Sequence, residues 1–449
     1  MLDFLWTLGS FIVALGILVA VHEWGHFWVA RRCGVKVLKF SIGFGKSFWS
    51  KTDRQGTEYV IAAIPLGGFV RMLDSRVDDV SVADMPYAFD QQNVYKRIAI
   101  IAAGPLVNFI FAVIALYFMY LIGVESIRPV IAEIKPGSVL EQTEIQPNSH
   151  IKAIGERTVV DWESINLELV SHIGKDEMSV TVSQGGTFLE TTYTVDISGW
   201  NFDPETESAI RSIGFVPFSP EITTSIGLVA EKSPADVAGL QVNDKIVELD
   251  GTPTENWEQI VQYIADRPNQ VIGVMVERDG IRTPIMANIG VSERDETRGY
   301  LGVVPLREAW PKEMVFSNQY GVFGAVGAAT EKTWRLITLS VEMIGKLLTG
   351  DVSVKNLSGP ISIAQGAGAS AGYGLVYFLS FLALISVNLG IINLLPLPVL
   401  DGGHLLYYLI ELFSGKPVPE SVQEIGFRIG GALLLVLMSV AIMNDIMRL

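Results

Sequence analysis

Four stretches of the chain carry no charge and are dense in apolar residues. Residues 4–21 and 98–124 are two of them. The third, 357–400, is densest from Leu375 onward. The fourth, 429–444, extends backward from Arg428 on a helical period. A bilayer core takes about 20 apolar residues of helix, so the pattern predicts four transmembrane helices, with the third assigned to 371–405 and the fourth to 420–449. The first, within 1–34, has Asp3 at its start, no basic cluster and no clear small-residue cleavage site. It is therefore expected to remain as a helix.

Between these spans the pattern changes. Phe40, Ile42 and Phe44 alternate with small or polar residues, Tyr59-Val60-Ile61 continues the theme, and Gly43, Gly45, Gly67 and Gly68 punctuate it. This predicts a β-rich loop within 35–93, placed before the second span at 94–124. An apolar loop of this kind can dip into the membrane if pairing satisfies its backbone. Residues 125–308 contain a repeat. Residues 138–162 align without gaps on 233–257, an offset of 95, with Asn148 on Asn243, Ile151 on Ile246 and Trp162 on Trp257. The second copy, from Ser233 to Gly251, resembles a bacterial PDZ domain, and the first is more divergent. Two tandem α/β PDZ domains are expected, at 125–220 and 221–308. Within the following segment, 309–370, Trp334, Ile337, Val341, Ile344 and Leu348 recur at helical spacing. They predict an amphipathic helix that either packs between domains or lies on a membrane surface.

Charge orients the spans. Arg31, Arg32, Lys36, Lys39, Lys96 and Arg97 flank the first loop, which places it in the cytoplasm. Residues 125–356 then lie outside. There, acidic residues outnumber basic ones by 15, equal to the net charge of −15 for the whole 449-residue chain. So acidic an outer segment argues against a nucleic-acid partner. Cys33 is the single cysteine, which excludes both a disulfide framework and a cysteine-rich zinc site.

Candidate chemistry sits at the end of the first span, in His22-Glu23-Trp24-Gly25-His26. Histidines four apart share one helix face and can bind one ion, and Glu23 beside them can take a proton from a polarised water. Ionisable groups next to an apolar span are costly and usually functional. A catalytic zinc takes three protein ligands and keeps one position open. Asp401 and His404 are the candidates for the third. Asp401 is the first charge after the long uncharged stretch, and charge bias puts it on the same side as His22, so it is favoured.

The pair His22-Glu-x-x-His26 and Asn393-x-x-Pro396-x-Pro398-x-Leu-Asp401-Gly resembles the site-2 protease family of intramembrane metalloproteases, and the likeness spans essentially the whole chain. The resemblance implies Zn2+ held by His22, His26 and Asp401, with Glu23 as general base. It implies a multi-pass protein of the bacterial inner membrane, with its site near the cytoplasmic face and its PDZ domains periplasmic. Its substrates would be single-span membrane proteins, such as an anti-sigma factor already trimmed outside, or remnant signal peptides, in envelope-stress signalling. Asn388 and Asn393 would lie near the substrate, holding its chain or the oxyanion. A substrate helix must be unwound before hydrolysis, and a strand edge can replace its lost hydrogen bonds. Ile42, Gly43, Phe44 and Gly45 are the expected edge. Gly104-Pro105 and Asn108 either shape an access groove or mark a tolerated kink. The PDZ pair either binds a new C-terminus or filters substrates by size, and the filter is favoured. A membrane scaffold and a metal transporter are the competing classes. Neither needs Glu23.

Overall fold

The structure, a computed structural model, describes residues 2–184, 189–200, 202, 207–292 and 295–448. Its helices are α1 (Leu2–Arg32), α2 (Val94–Ile122), α3 (Trp162–His172), α4 (Ala209–Ile213), α5 (Pro234–Ala238), α6 (Trp257–Ala265), α7 (Val322–Thr349), α8 (Pro360–Tyr373), α9 (Leu375–Leu394), α10 (Asp401–Ser414) and α11 (Glu420–Met447). Among the described residues, α1, α2, α9 and α11 are long and apolar enough to cross a membrane. The amphipathic helix expected before the third span is α7.

α2 is the hub of the helical part and packs against α1, α7, α9 and α10. Small residues make this possible. Ala112 and Ala115 on α2, Ala325 and Ala329 on α7, and Ala383 on α9 are buried in one cluster with Leu116, Met119 and Val387. Between helices in lipid, close approach of small residues replaces the hydrophobic driving force available in water.

The third apolar stretch is broken twice, which corrects the single helix expected over 371–405. Gly374 sits at φ 113° and separates α8 from α9. α9 then stops at Leu394, because Leu395 is extended ahead of Pro396, and Pro398 follows. A residue before proline is pushed out of the helical region, and proline has no N–H for the ladder. Asp401 therefore opens a separate helix, α10, rather than ending a span.

The loop between α1 and α2 is one long antiparallel hairpin, β1 (Val37–Thr52) and β2 (Glu58–Met72), folded over on itself. Gly43, Gly45 and Gly67 take φ of 92°, 85° and 153° at the folds, a region open to glycine without strain. Residues 47–52 pair with 58–62, 58–61 also lie beside 39–42, and 37–42 pair with 68–72. Ile42 consequently has Ile61 on one side and Gly68 on the other. The expected edge at Ile42, Gly43, Phe44 and Gly45 is corrected at Ile42, which is interior; Phe44 pairs with Ile64 alone, between the bends at Gly43 and Gly45. Among the described residues the open edges are 47–52 and 68–72.

Outside the helical part, residues 124–127 leaving α2 pair with 315–318 on the return, which clasps the inserted segment at its root. Two α/β units fill the insertion, within 131–217 and 222–307. They match at the offset of 95. His150–Ile154 corresponds to Lys245–Leu249, and the long helices start at Trp162 and Trp257. Ile151, Ile154, Ile165 and Leu169 are buried in one core as Ile246, Leu249, Ile260 and Ile264 are in the other. Asn148 and Asn243 both adopt positive φ, 61° and 73°, which asparagine tolerates better than most residues.

Candidate metal centre

The helical period of α1 puts His22 and His26 on one face, one turn apart, with both side chains buried. That face meets α2 at very short range. A Cβ on Gly25 would lie 2.5 Å from the Ala103 carbonyl oxygen, and one on Gly104 would lie 2.2 Å from His26 Nε2. Glycine at both positions is thus a requirement of the crossing, and it leaves the imidazoles their space.

Asp401 arrives from α10. The segment 395–400 turns back over the start of that helix, with Leu400 N–H donating to Leu397 O at 2.8 Å and Gly403 N–H to Leu400 O at 3.0 Å. A Cβ on Gly402 would fall 2.2 Å from Leu395 O, and one on Gly403 2.4 Å from Leu397 O. The two glycines after Asp401 thereby let the proline-containing turn fold onto the helix start. The Arg97–Glu411 ion pair, N–O 2.6 Å, ties α10 to the beginning of α2.

Three ligand-type atoms converge. His22 Nε2 and His26 Nε2 are 3.3 Å apart, and Asp401 Oδ2 is 3.1 Å from the first and 3.3 Å from the second. A tetrahedral ion with bonds of about 2.0–2.1 Å has ligand–ligand edges of about 3.3–3.4 Å. The three atoms therefore form one face of such a tetrahedron, with the fourth vertex left over. Their chemistry agrees. His26 Nδ1 is 2.9 Å from the Ile100 carbonyl oxygen, which can only accept. The proton sits on Nδ1, and Nε2 of neutral His26 presents a lone pair to a carboxylate oxygen. Asp401 Oδ2 is itself shut off from solvent with no other partner. Acceptors facing one another in a buried space need a cation between them.

Glu23 lies half-buried beside the pair, its carboxyl against the Val70 backbone amide of β2. Gly68 is packed so closely that a Cβ there would be 3.0 Å from Glu23 Cγ. The open edge 68–72 thus borders the acidic residue. The remaining candidates sit apart from the cluster. His404 is one turn beyond Asp401, with its ring on Phe427 at 5.4 Å, and burial pushes its pKa down. Among the described residues, His22, His26 and Asp401 form the one grouping with metal-ligand geometry. Asn388 accepts a 2.8 Å bond from Ser340 of α7. Asn393 is half-buried at the end of α9. Asn108, read in the sequence only as part of a groove or kink, reaches His22 Nδ1 at 3.1 Å. Sequence carried a faint signal of this in its four-residue spacing from Gly104.

Such a face of two imidazoles and a carboxylate, open at one vertex and bordered by a glutamate, defines a metal-dependent hydrolase. The chain belongs to peptidase family M50, which it matches over residues 10–437. It is 49% identical to the regulator of sigma-E protease RseP of Salmonella typhimurium and 48% identical to that of Escherichia coli, in both cases over 100% of each chain. A Vibrio cholerae protein described as "Putative zinc metalloprotease" is 52% identical, again over 100% of both chains. The protein is a metalloprotease, and zinc is the metal that its family and relatives imply. A solved PDZ domain from Listeria innocua aligns with 19% of this chain and 97% of its own, at 17% identity and a TM-score of 0.17.

Proposed function

We propose that the protein cuts single-span membrane substrates at a zinc site held by His22, His26 and Asp401, in the pathway that the names of its relatives indicate. The triangle of ligand atoms with edges of 3.1–3.3 Å, beside Glu23, carries this reading. Zinc bound there supplies Lewis acidity to the scissile carbonyl and the attacking water. Glu23 takes a proton from that water as its oxygen attacks the carbonyl carbon. The same carboxyl then returns the proton to the amide nitrogen as the C–N bond breaks.

A membrane helix must be unwound for this, and the edge at 68–72 offers backbone hydrogen bonds in place of the lost ones. Its closeness to Glu23 supports that role. Asn393, near the start of the turn that carries Asp401, would steady the substrate chain or its oxyanion. Asn388 has a second role to weigh, because its bond to Ser340 links α9 to α7.

The two outer units are tandem PDZ domains under this proposal and admit substrates whose outer part has been trimmed, such as a shortened anti-sigma factor. Peptide binding is supported for the second unit by a cavity of about 400 Å³, lined by Trp257, Ile260 and Ile264 of α6 and by Leu301 and Val303. The proposed setting is the bacterial inner membrane, with the units periplasmic.

The test is cleavage of a purified single-span substrate before and after zinc is removed with a chelator. Loss of cleavage on removal and recovery on adding zinc are expected. Unchanged cleavage by the stripped protein would contradict the proposal.

A further inference from the structure

α2 runs past the metal site with Ile100, Gly104 and Asn108 four residues apart, one above the other on one face. Each serves one of the two histidines or both. The Ile100 carbonyl takes the Nδ1 proton of His26 at 2.9 Å. Pro105 cannot donate to the carbonyl four residues before it, which loosens the helix at this level. Gly104 leaves room for both rings. Asn108 is fully buried, at 0% exposure, and its carboxamide reaches His22 Nδ1 at 3.1 Å.

The carboxamide nitrogen faces His22 in the structure, and Oδ1 has no hydrogen-bond partner. With the amide this way round, Nδ1 of His22 must be the acceptor, and the imidazole proton moves to Nε2. That nitrogen then donates toward Asp401 and cannot bind a metal. A half-turn of the carboxamide exchanges nitrogen and oxygen at almost no change in shape. Oδ1 then accepts the Nδ1 proton of His22, and Nε2 turns a lone pair toward His26 Nε2 and Asp401 Oδ2. Histidines that bind a metal through one nitrogen commonly donate from the other to a carbonyl or carboxylate, which fixes tautomer and ring orientation.

We infer that Asn108 is a positioning residue for the metal site: its Oδ1 accepts from His22 Nδ1–H as the Ile100 carbonyl accepts from His26. One stripe of α2 thereby sets both imidazoles in their ligating form. The inference rests on the zinc reading of His22, His26 and Asp401.

The experiment measures zinc affinity of the full chain in detergent by competition with a fluorescent chelator. Asn108→Leu, similar in size but without an acceptor, is expected to bind zinc about 10–100-fold more weakly. Asn108→Ala, which adds no bulk, should show the same loss. Asn108→Asp, which keeps an acceptor in place, should stay near wild type. Ser386→Ala separates packing from positioning, because Ser386 Oγ donates to the backbone carbonyl of Asn108 at 2.8 Å. It should leave zinc affinity unchanged. Wild-type affinity in both Asn108→Leu and Asn108→Ala would overturn the inference. So would Asn108→Asp falling as far as Asn108→Leu, or Ser386→Ala falling with them. Wild type that binds no zinc would instead overturn the metal reading beneath it.

Discussion

In the first outer unit, α3 is fastened to the amphipathic helix α7. Lys332 pairs with Glu163 at 2.9 Å, Arg335 with Glu168 at 2.6 Å, and Lys346 donates to the Ser171 carbonyl at 2.9 Å. In the second unit the matching helix, α6, borders a cavity of about 400 Å³ on the side of Leu301 and Val303, whereas the cavity of about 430 Å³ beside α3 lies between that helix and α7. The two helices start at equivalent positions and bury equivalent isoleucines, so the difference lies in what their outer faces meet. One copy of the repeat is tied to α7 through its helix, and the other has its cavity between its helix and its own residues 299–303. Duplication allows this because the core residues that specify the fold and the surface residues that specify partners are different positions.

The largest test of that contrast removes both copies. Deletion of residues 125–308 should let the protein cut an untrimmed single-span substrate that the full chain leaves intact. If the untrimmed substrate stays intact, the size filter is wrong. Next comes the tie to α7 alone. Glu168→Gln leaves Arg335 charged in a nearly closed interface, where its side chain is 12% exposed. Stranding one partner of a buried ion pair costs about 3–5 kcal/mol. Hydrogen exchange should rise in α3 and along the facing part of α7 and stay unchanged in α6. An equal rise in α6 would mean that the units are not separately held.

A smaller effect tests their likeness. Asp161 caps α3 by accepting from Ser164 N–H at 2.8 Å, and Asn256 caps α6 by accepting from Gln259 N–H at 3.0 Å. Replacing either by alanine should lower the stability of its own unit by about 1 kcal/mol. Local exchange rates report it, and unequal costs would show that the copies are not equivalent at their helix starts.

The smallest effect is one of pH. His150 occupies the position of Lys245 in the second unit. Burial, helped by Lys152 and Arg128, pushes its pKa down to about 4. Above about pH 6.5 it is neutral whether folded or unfolded. Between there and pH 4 the unfolded chain takes up a proton that the folded unit refuses, so stability falls as pH falls. Melting of wild type should show this acid loss, and His150→Gln should flatten it. A His150→Gln profile identical to wild type would remove His150 as the cause.

Much of this was legible along the chain, for reasons that differ by element. His22 and His26 could be read because their spacing and the helical period are local properties. Asp401 could be read because a charge after 45 uncharged residues is conspicuous. The repeat was legible because buried positions recur at a fixed offset. The stop at Leu394 was signalled by Pro396 and Pro398, yet an unbroken apolar run hid it. Ile42 was misplaced at an edge because alternation marks a strand but says nothing of what lies beside it. Only the bends at Gly43, Gly45 and Gly67 bring residues 58–61 and 68–72 to either side of it. Gly25 and Gly104 escaped notice as partners because their meaning arises where α1 crosses α2.

The most direct test is paired zinc content and cleavage of a model single-span substrate, for wild type and Glu23→Gln. Glu23 contributes no atom to the ligand triangle, so the variant should keep its zinc and lose cleavage. Cleavage that persists in zinc-loaded Glu23→Gln would contradict the role given to Glu23 at this site.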